Sequence, residues 1–566
     1  MQKRLLPLLL SVAIAPCAAL ASPNFVGTTE PMAEHSVYFV ITDRFVNGDV
    51  SNDQREQGLP NHGTFNRPVP GAPPGRSDNV GYMGGDFRGL LNNAGYIRDM
   101  GFGAVWLTPI VENPNEAFTG GTPVAWRSMF TDQGKTGYHG YWATNFYRVD
   151  EHWPSEGLGF RELSSGLRAR GLKTVLDVVA NHGAPSFTAP TQRDDFGKLF
   201  GPDGALLADH QNLPPKKLKP TRNPLHAFYN TAPDIAQLSD LEEDNPAVLD
   251  YLAGAYLHWI EQGADAFRVD TIKHMPLPFW KRFTDRIRAE HPGFFMFGEA
   301  FDYEAEMIAP FTQPENGGIT VLDFPLKAAM EKVFGTEQLG FETVVPALHL
   351  VGGPYSNPYN LMTFYDNHDM PRLDADDTGF INANNLLFTA RGIPVVYYGS
   401  ETGFERGTPE HGGNRNYFGQ ARIDAAAAHP IHQHMKRVAQ LRAQTPALQR
   451  GLQLNLLFEG QRAAFYRVYE KDGVAQTALV LLNKGDTAAS FRLTENLQPG
   501  TWRAALGGET LTLAEGQTLV ITVPANGVTV YLLEKPLTVP SLRAALEALQ
   551  EGATPHRTSA APPVSG

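Results

Sequence analysis

Three stretches decide the fold: KTVLDVV with ANH after it (173–182), ADAFRVDTIKH (264–274) and FFMFGEAF (294–301). Each opens as a short apolar run rich in β-formers. Each closes on polar and ionisable groups: Asp177 with Asn181 and His182, Asp270 with Lys273 and His274, and Glu299. Runs this short and this apolar read as buried parallel strands. Working outward, five more of the same kind appear: Ser36–Thr42, Ala104–Thr108, Gly318–Leu322, Leu361–Tyr365 and Ile393–Tyr398. Helical patterns precede two of the eight runs: Leu90 to Met100 before Ala104–Thr108, and Phe160 to Arg170 before Lys173–Val179. Strands alternating with helices build parallel βαβ units, and eight such units predict a closed (β/α)8 TIM barrel of the α/β class. An open doubly wound sheet is the rival topology. No G-x-G-x-x-G or phosphate-binding loop follows any of the strands, so a nucleotide site has no support.

The expected organisation has five parts. Residues 1–21 read as a signal peptide: Lys3 and Arg4, an apolar run from Leu5 to Ala15, and Ala19-Leu20-Ala21 as the cleavage site. The run falls short of the about 20 apolar residues that span a bilayer. Residues 22–182 and 234–447 form the barrel. Residues 183–233, rich in Pro, Asp, Asn and Lys, form an inserted subdomain after strand three, and loops that long are usually functional. Residues 448–535 carry short alternating strands with Gly, Asn and Asp turns, which predicts an antiparallel β-sandwich. Residues 536–566 hold an amphipathic helix and a loose tail.

Composition narrows the function classes. The chain has 566 residues and a net charge of -13. That charge disfavours nucleic acid and anionic membranes as partners. The only cysteine is Cys17, inside the expected leader. A secreted or periplasmic protein without disulfides needs a large core, a metal or both.

Barrel enzymes place their chemistry at the C-terminal ends of strands. Four ends aim carboxylates and imidazoles at one mouth here. Besides the three already quoted, the seventh ends in Asp366-Asn-His368-Asp369. Asp270 and Glu299 lie 29 residues apart, about one βα unit, and so on neighbouring strands. Two carboxylates about 5–5.5 Å apart make a retaining glycosidase pair. Arg268 has the same facing as Asp270 by the period of two, and keeps it ionised. Crowding by Asp270 and Asp369 raises Glu299, as a general acid requires. Asp369 and the histidines are suited to hold sugar hydroxyls. Aromatic residues gather at Tyr138-His139-Gly140-Tyr141-Trp142, where rings can stack on sugar C–H faces or simply fill a core. Asn47, Asp49, Asn52 and Asp53, with Gly84-Gly85-Asp86, form an oxygen-rich cluster that reads equally as a calcium loop or a solvated turn.

These motifs resemble the α-amylase superfamily, glycoside hydrolase family 13, over residues 36–535. The resemblance rests on DVVANH (177–182), QLSDL (237–241), FRVDTIKH (267–274), FGEAF (297–301) and FYDNHD (364–369). TDRFVNGD (42–49), YMGGDFRG (82–89), YHGYWA (138–143) and VDTIKHMP (269–276) are most similar to cyclodextrin glucanotransferases and bacterial amylases. The resemblance implies Asp270 as nucleophile, Glu299 as acid/base and Asp369 as transition-state stabiliser. It implies sugar contacts from His139, Tyr141, Trp142, His182, Arg268 and His368, with Lys273, His274 and Phe301 on the leaving-group side. It implies one calcium held by Asn47, Asp49, Asn52, Asp53, Gly84 and Asp86, and a second at Asn181, Asp240 and the His274 backbone. The expected activity is hydrolysis of α-1,4-glucosidic bonds in starch, maltodextrins or related α-glucans. A glucan transferase with the same carboxylates is the alternative. Two departures set the chain apart from the cyclising enzymes, and the first favours hydrolysis. Ala236 stands where the cyclising enzymes carry a bulky aromatic, and no further β-domains are expected after the sandwich. Relatives that have lost catalysis lack one or more of the three carboxylates; all three are present here.

Overall fold

The computed structural model describes residues 24–58, 63–73, 78–189 and 195–553. The expected leader with Cys17, and the tail beyond 553, lie outside the described residues. Eight parallel strands form the barrel: β1 (Val37–Val40), β2 (Ala104–Leu107), β3 (Lys173–Val178), β4 (Ala266–Val269), β5 (Phe295–Gly298), β6 (Thr320–Val321), β7 (Met362–Thr363) and β8 (Ile393–Tyr397). All eight fall on the runs read from the sequence. They pair in the order β6-β5-β4-β3-β2-β1-β8-β7, and a parallel bridge from Leu322 to Met362 joins the two ends into a ring. The barrel, not the open sheet, is therefore the fold.

The barrel fills with large rings. Phe39 of β1 stacks on Trp106 of β2 at 3.8 Å between centroids and on Tyr397 of β8 at 5.1 Å, while Phe297 of β5 meets Trp106 edge-on at 5.4 Å. This apolar floor lies below the ionisable mouth. Register then sets the mouth: Arg268 of β4 is level with Asp177 of β3 on one side and Phe297 of β5 on the other.

After β3 the chain leaves the barrel. His182–Pro185 pairs antiparallel with Leu238–Asp240, and Lys198–Phe200 with Leu206–Asp209. A second excursion follows β2, where Val111–Glu112 pairs with Asn145–Val149 around a long loop. The helix Pro430–Ala443 ends the barrel. Beyond it come β9 (Leu452–Glu459), β10 (Arg462–Lys471), β11 (Val474–Asn483), β12 (Ala489–Leu493), β13 (Gly500–Ala504), β14 (Leu511–Leu513), β15 (Leu519–Val523) and β16 (Gly527–Leu533). Six of them pair as β9-β10-β11-β16-β13-β14, and β12 pairs with β15. The helix Pro540–Ala553 lays Leu542, Leu546 and Leu549 on this domain's core. No described helix is long and apolar enough to cross a membrane.

Candidate active site

One cavity of about 400 Å³ opens at the C-terminal ends of the strands. Among its walls are Asp270, Glu299, Asp369, His139, Tyr141, Trp142, His182, His274, Phe301 and His368. The centre is Arg268, fully buried among three carboxylates. Its Nη1 donates to Asp177 Oδ1 at 2.9 Å and to Asp270 Oδ1 at 2.7 Å, and its Nη2 lies 2.9 Å from Glu299 Oε2. A single guanidinium thus spans the two carboxylates read as a working pair. Buried charges persist only when paired in this way.

The carboxyl groups are not equivalent. Burial pushes Glu299 well above the usual range, against the pull of Arg268, with Asp369 and Asp270 adding to the rise. That keeps its proton available, as a general acid needs. The second oxygen of Asp270 takes the Thr271 hydroxyl at 3.1 Å. Thr271 itself sits in the left-handed region, φ +48°, a strained conformation of the sort found beside functional groups. Asp369 is held below its ordinary value although burial alone would raise it. His368 lies 3.2 Å from it, but burial lowers that imidazole to about 3, so it is neutral at neutral pH. The holding charge is therefore Arg415, whose Nη2 donates to Asp369 Oδ1 at 2.6 Å.

Tyr141 joins this centre, donating to Asp177 Oδ2 at 2.7 Å and sitting 2.9 Å from His368 Nε2. His139 accepts the Tyr141 amide at 3.0 Å through Nδ1. Burial lowers both His139 and His182, so neutral imidazoles face the cavity. Trp142 meets His139 edge-on at 4.8 Å and packs on Phe118 of the excursion after β2 and on Phe196 of the insert. Lys273 does not line the cavity. Its Nζ is bound to Asp302 at 2.6 Å and to the Phe301 carbonyl at 3.3 Å.

Several residues of the site were not anticipated. Asp177 was noted only as part of a strand end, yet it anchors Arg268, Tyr141 and Trp106 together; burial raises it to about 7. A buried charge chain lines the other wall. Arg415 pairs with Glu410 at 3.1 Å, Glu410 with Lys135 at 2.9 Å, and Lys135 with Asp132 at 2.9 Å. Glu410 also accepts the amide of Phe130 at 2.8 Å, and Phe130 lines the cavity. Lys135 and Glu410 are 275 residues apart, on loops without period, so no sequence pattern could join them.

The oxygen clusters fit a hard cation. The amide oxygens of Asn47 and Asn52 are buried with no partner. A Cβ on Gly84 would fall 2.3 Å from Asn47 Nδ2 and 2.4 Å from Asp53 Oδ1, so the backbone approaches them as only glycine allows. Asp86 and Asp49 spend their oxygens differently. Asp86 accepts the amides of Gly48, Asp49 and Gly89, and Asp49 accepts the amide and hydroxyl of Ser51. At the second cluster Asn181 Oδ1 is buried without a partner, and its Nδ2 donates to Asp234 at 3.1 Å. Burial and the charge of Asp234 raise Asp240 to about 8. His274 Nδ1 lies 3.0 Å from Asp234, which the sequence reading had not included. No three His, Cys, Asp or Glu among the described residues are placed as ligands, so any cation here would combine amide and backbone oxygens with fewer than three carboxylates.

Comparison with known proteins bears on the whole chain. The cyclomaltodextrin glucanotransferase of Geobacillus stearothermophilus is 30% identical over 507 residues, covering 87% of this chain and 64% of that protein. The chain thus spans less than two thirds of that relative. The enzyme of the same name from Thermoanaerobacterium thermosulfurigenes is 28% identical over 539 residues, covering 89% and 68%. Among solved structures, a cyclomaltodextrin glucanotransferase described as having a three-domain ABC distribution matches with a TM-score of 0.71 at 29% identity, covering 88% of this chain and 99% of its own. An Anoxybacillus alpha-amylase matches with a TM-score of 0.66 at 26% identity, covering 90% and 99%. A family model described as the alpha-amylase catalytic domain matches residues 39–447, which takes in nearly all of the barrel and its insert, and on that match the chain belongs to the alpha-amylase family.

Proposed function

We propose that the protein cleaves α-1,4-glucosidic bonds of starch, maltodextrins or related α-glucans with retention of configuration. The observation that carries this reading is the single Arg268 guanidinium holding Asp270 and Glu299 side by side. Asp270, oriented by Arg268 and Thr271, attacks the anomeric carbon. Glu299, protonated because it is buried, gives its proton to the leaving oxygen. It then takes a proton from the incoming hydroxyl that releases the covalent intermediate. Asp369, fixed and ionised by Arg415, holds sugar hydroxyls as charge develops on the ring.

Whether water or a sugar hydroxyl enters last divides hydrolase from transferase. Ala236 lines the cavity and presents only a methyl group, which supports hydrolysis. The opposing support comes from the relatives, several of which are named as glucanotransferases. The expectation from domain number loses its force, because one of these is described with three domains and is covered almost end to end. We also propose that the two oxygen clusters hold calcium, which would supply structural charge and tie the insert to the barrel. Export by the leader at 1–21 belongs to the same reading.

The test is incubation with soluble starch and with maltoheptaose, products resolved by size over time. Shorter linear sugars with a gain of reducing ends support the hydrolase. Longer or cyclic products without that gain support the transferase. Intact substrate would overturn both.

A further inference from the structure

Three aromatic rings are strongly exposed among the described residues: Phe130, Phe301 and Tyr303. Two of them lie on the segment that continues directly from Glu299, with Phe301 40% and Tyr303 43% accessible. Met307, further along the same segment, is 55% accessible. The other exposed large apolar residues are aliphatic and lie elsewhere in the chain, such as Leu206, Val351 and Val520. Apolar rings clustered in water beside a cavity that mixes aromatic walls with carboxylates mark a binding surface.

The rings are held rigidly. Phe301 and Tyr303 lie 6.0 Å apart and both rest on Phe324, at 4.8 and 6.0 Å. Phe324 is fully buried and meets Phe364 edge-on at 5.2 Å. Between the two rings, Asp302 binds Lys273 on the turn that follows the nucleophile and accepts the Glu304 amide at 3.0 Å. The segment is thus fixed both to the barrel core and to the loop carrying Asp270.

We propose that Tyr303 is a sugar platform extending the leaving-group side beyond Phe301, and that it takes the reducing-end part of a linear α-glucan chain. This deepens the cleavage reading and rests on it. A general acid must reach the glycosidic oxygen. The surface running outward from Glu299 therefore meets the sugars that leave, and in the second step the glucan that accepts. Glucose presents apolar C–H faces that an amphipathic ring can cover. A short substrate ends before Tyr303, and a long one reaches it.

The experiment compares Tyr303→Ala and Tyr303→Phe with the unmodified protein on maltotriose and on maltoheptaose, with thermal unfolding of each. The expected result is a rise of about five-fold in KM for maltoheptaose in Tyr303→Ala. The rise for maltotriose is smaller, kcat changes less than KM, and Tyr303→Phe restores the long-substrate KM. Equal effects on both substrates, or none on either, would overturn the platform while leaving cleavage standing. An unmodified protein that leaves both sugars intact would overturn the cleavage reading and the platform with it.

Discussion

Arg268 shows how one residue organises the site. It is buried, charged and surrounded by Asp177, Asp270 and Glu299, so removing any partner leaves charge uncompensated. Burial raises both Asp177 and Glu299, but only Glu299 also lines the cavity, so its proton is the one a substrate can meet. Replacing Glu299 with Gln keeps the shape and removes the transferable proton. Cleavage of maltoheptaose should fall by at least about 10²–10⁴-fold, read as released reducing ends. In the proposed mechanism the first step needs Glu299 protonated, so activity should persist above the ordinary carboxylate range and fall as pH rises through its raised value. The Glu410 carboxylate is held well below its usual value by Arg415 and Lys135, whose pull exceeds its burial. Glu410→Gln should therefore leave both cations poorly compensated and destabilise the fold by about 3 kcal/mol, measured by urea unfolding.

At the scale of elements, the strands do two jobs. Their apolar bodies close the barrel, and their register delivers the mouth: Asp177 faces Arg268 because β3 and β4 are aligned at that level. The hairpin Val111–Glu112 with Asn145–Val149 carries a different burden. Burial, Asp150 and Glu151 together raise Glu112 to about 8. Its folded value lies above that of an unfolded Glu, about 4.3. The group's contribution to stability is then complete below about pH 4 and is lost as pH climbs towards 8. Glu112→Gln should raise the melting temperature at pH 9 and change it little at pH 4. A variant that melts with the unmodified protein at both values would show that Glu112 ionises freely.

At the scale of the molecule, the C-terminal domain is joined to the barrel by two neighbouring strands, β10 and β11, that are buried on both faces. Along β10, Ala463, Phe465 and Tyr469 enter the barrel core, while Ala464, Tyr466 and Val468 enter the sandwich core. Arg467, on the barrel-facing side, donates to the Thr389 and Ala390 carbonyls at the end of a barrel helix. The oxygen clusters bring distant segments together: the Gly84 backbone packs against Asn47, and Asn181 donates to Asp234 across the base of the insert. If calcium fills them, chelation should lower the melting temperature, and calcium at about 100 times its Kd should stabilise by about 2.7 kcal/mol for each site filled. Calorimetry with and without chelator decides it; identical transitions would remove calcium from the account.

The sequence by itself determined the barrel, its eight strands, the family and the strand ends that form the mouth. The reason is locality: strand and helix periods are written within a few residues, and a barrel forces every strand's C-terminal end to one side. Tertiary structure alone decided how Asp177 anchors Arg268, which cation holds Asp369, and that Lys273 is tied to Asp302. It alone exposed Tyr303 beside Phe301 and made β10 a shared wall. Those relations join loops and faces far apart in the chain, and only the closed, packed chain brings their charges and rings within contact.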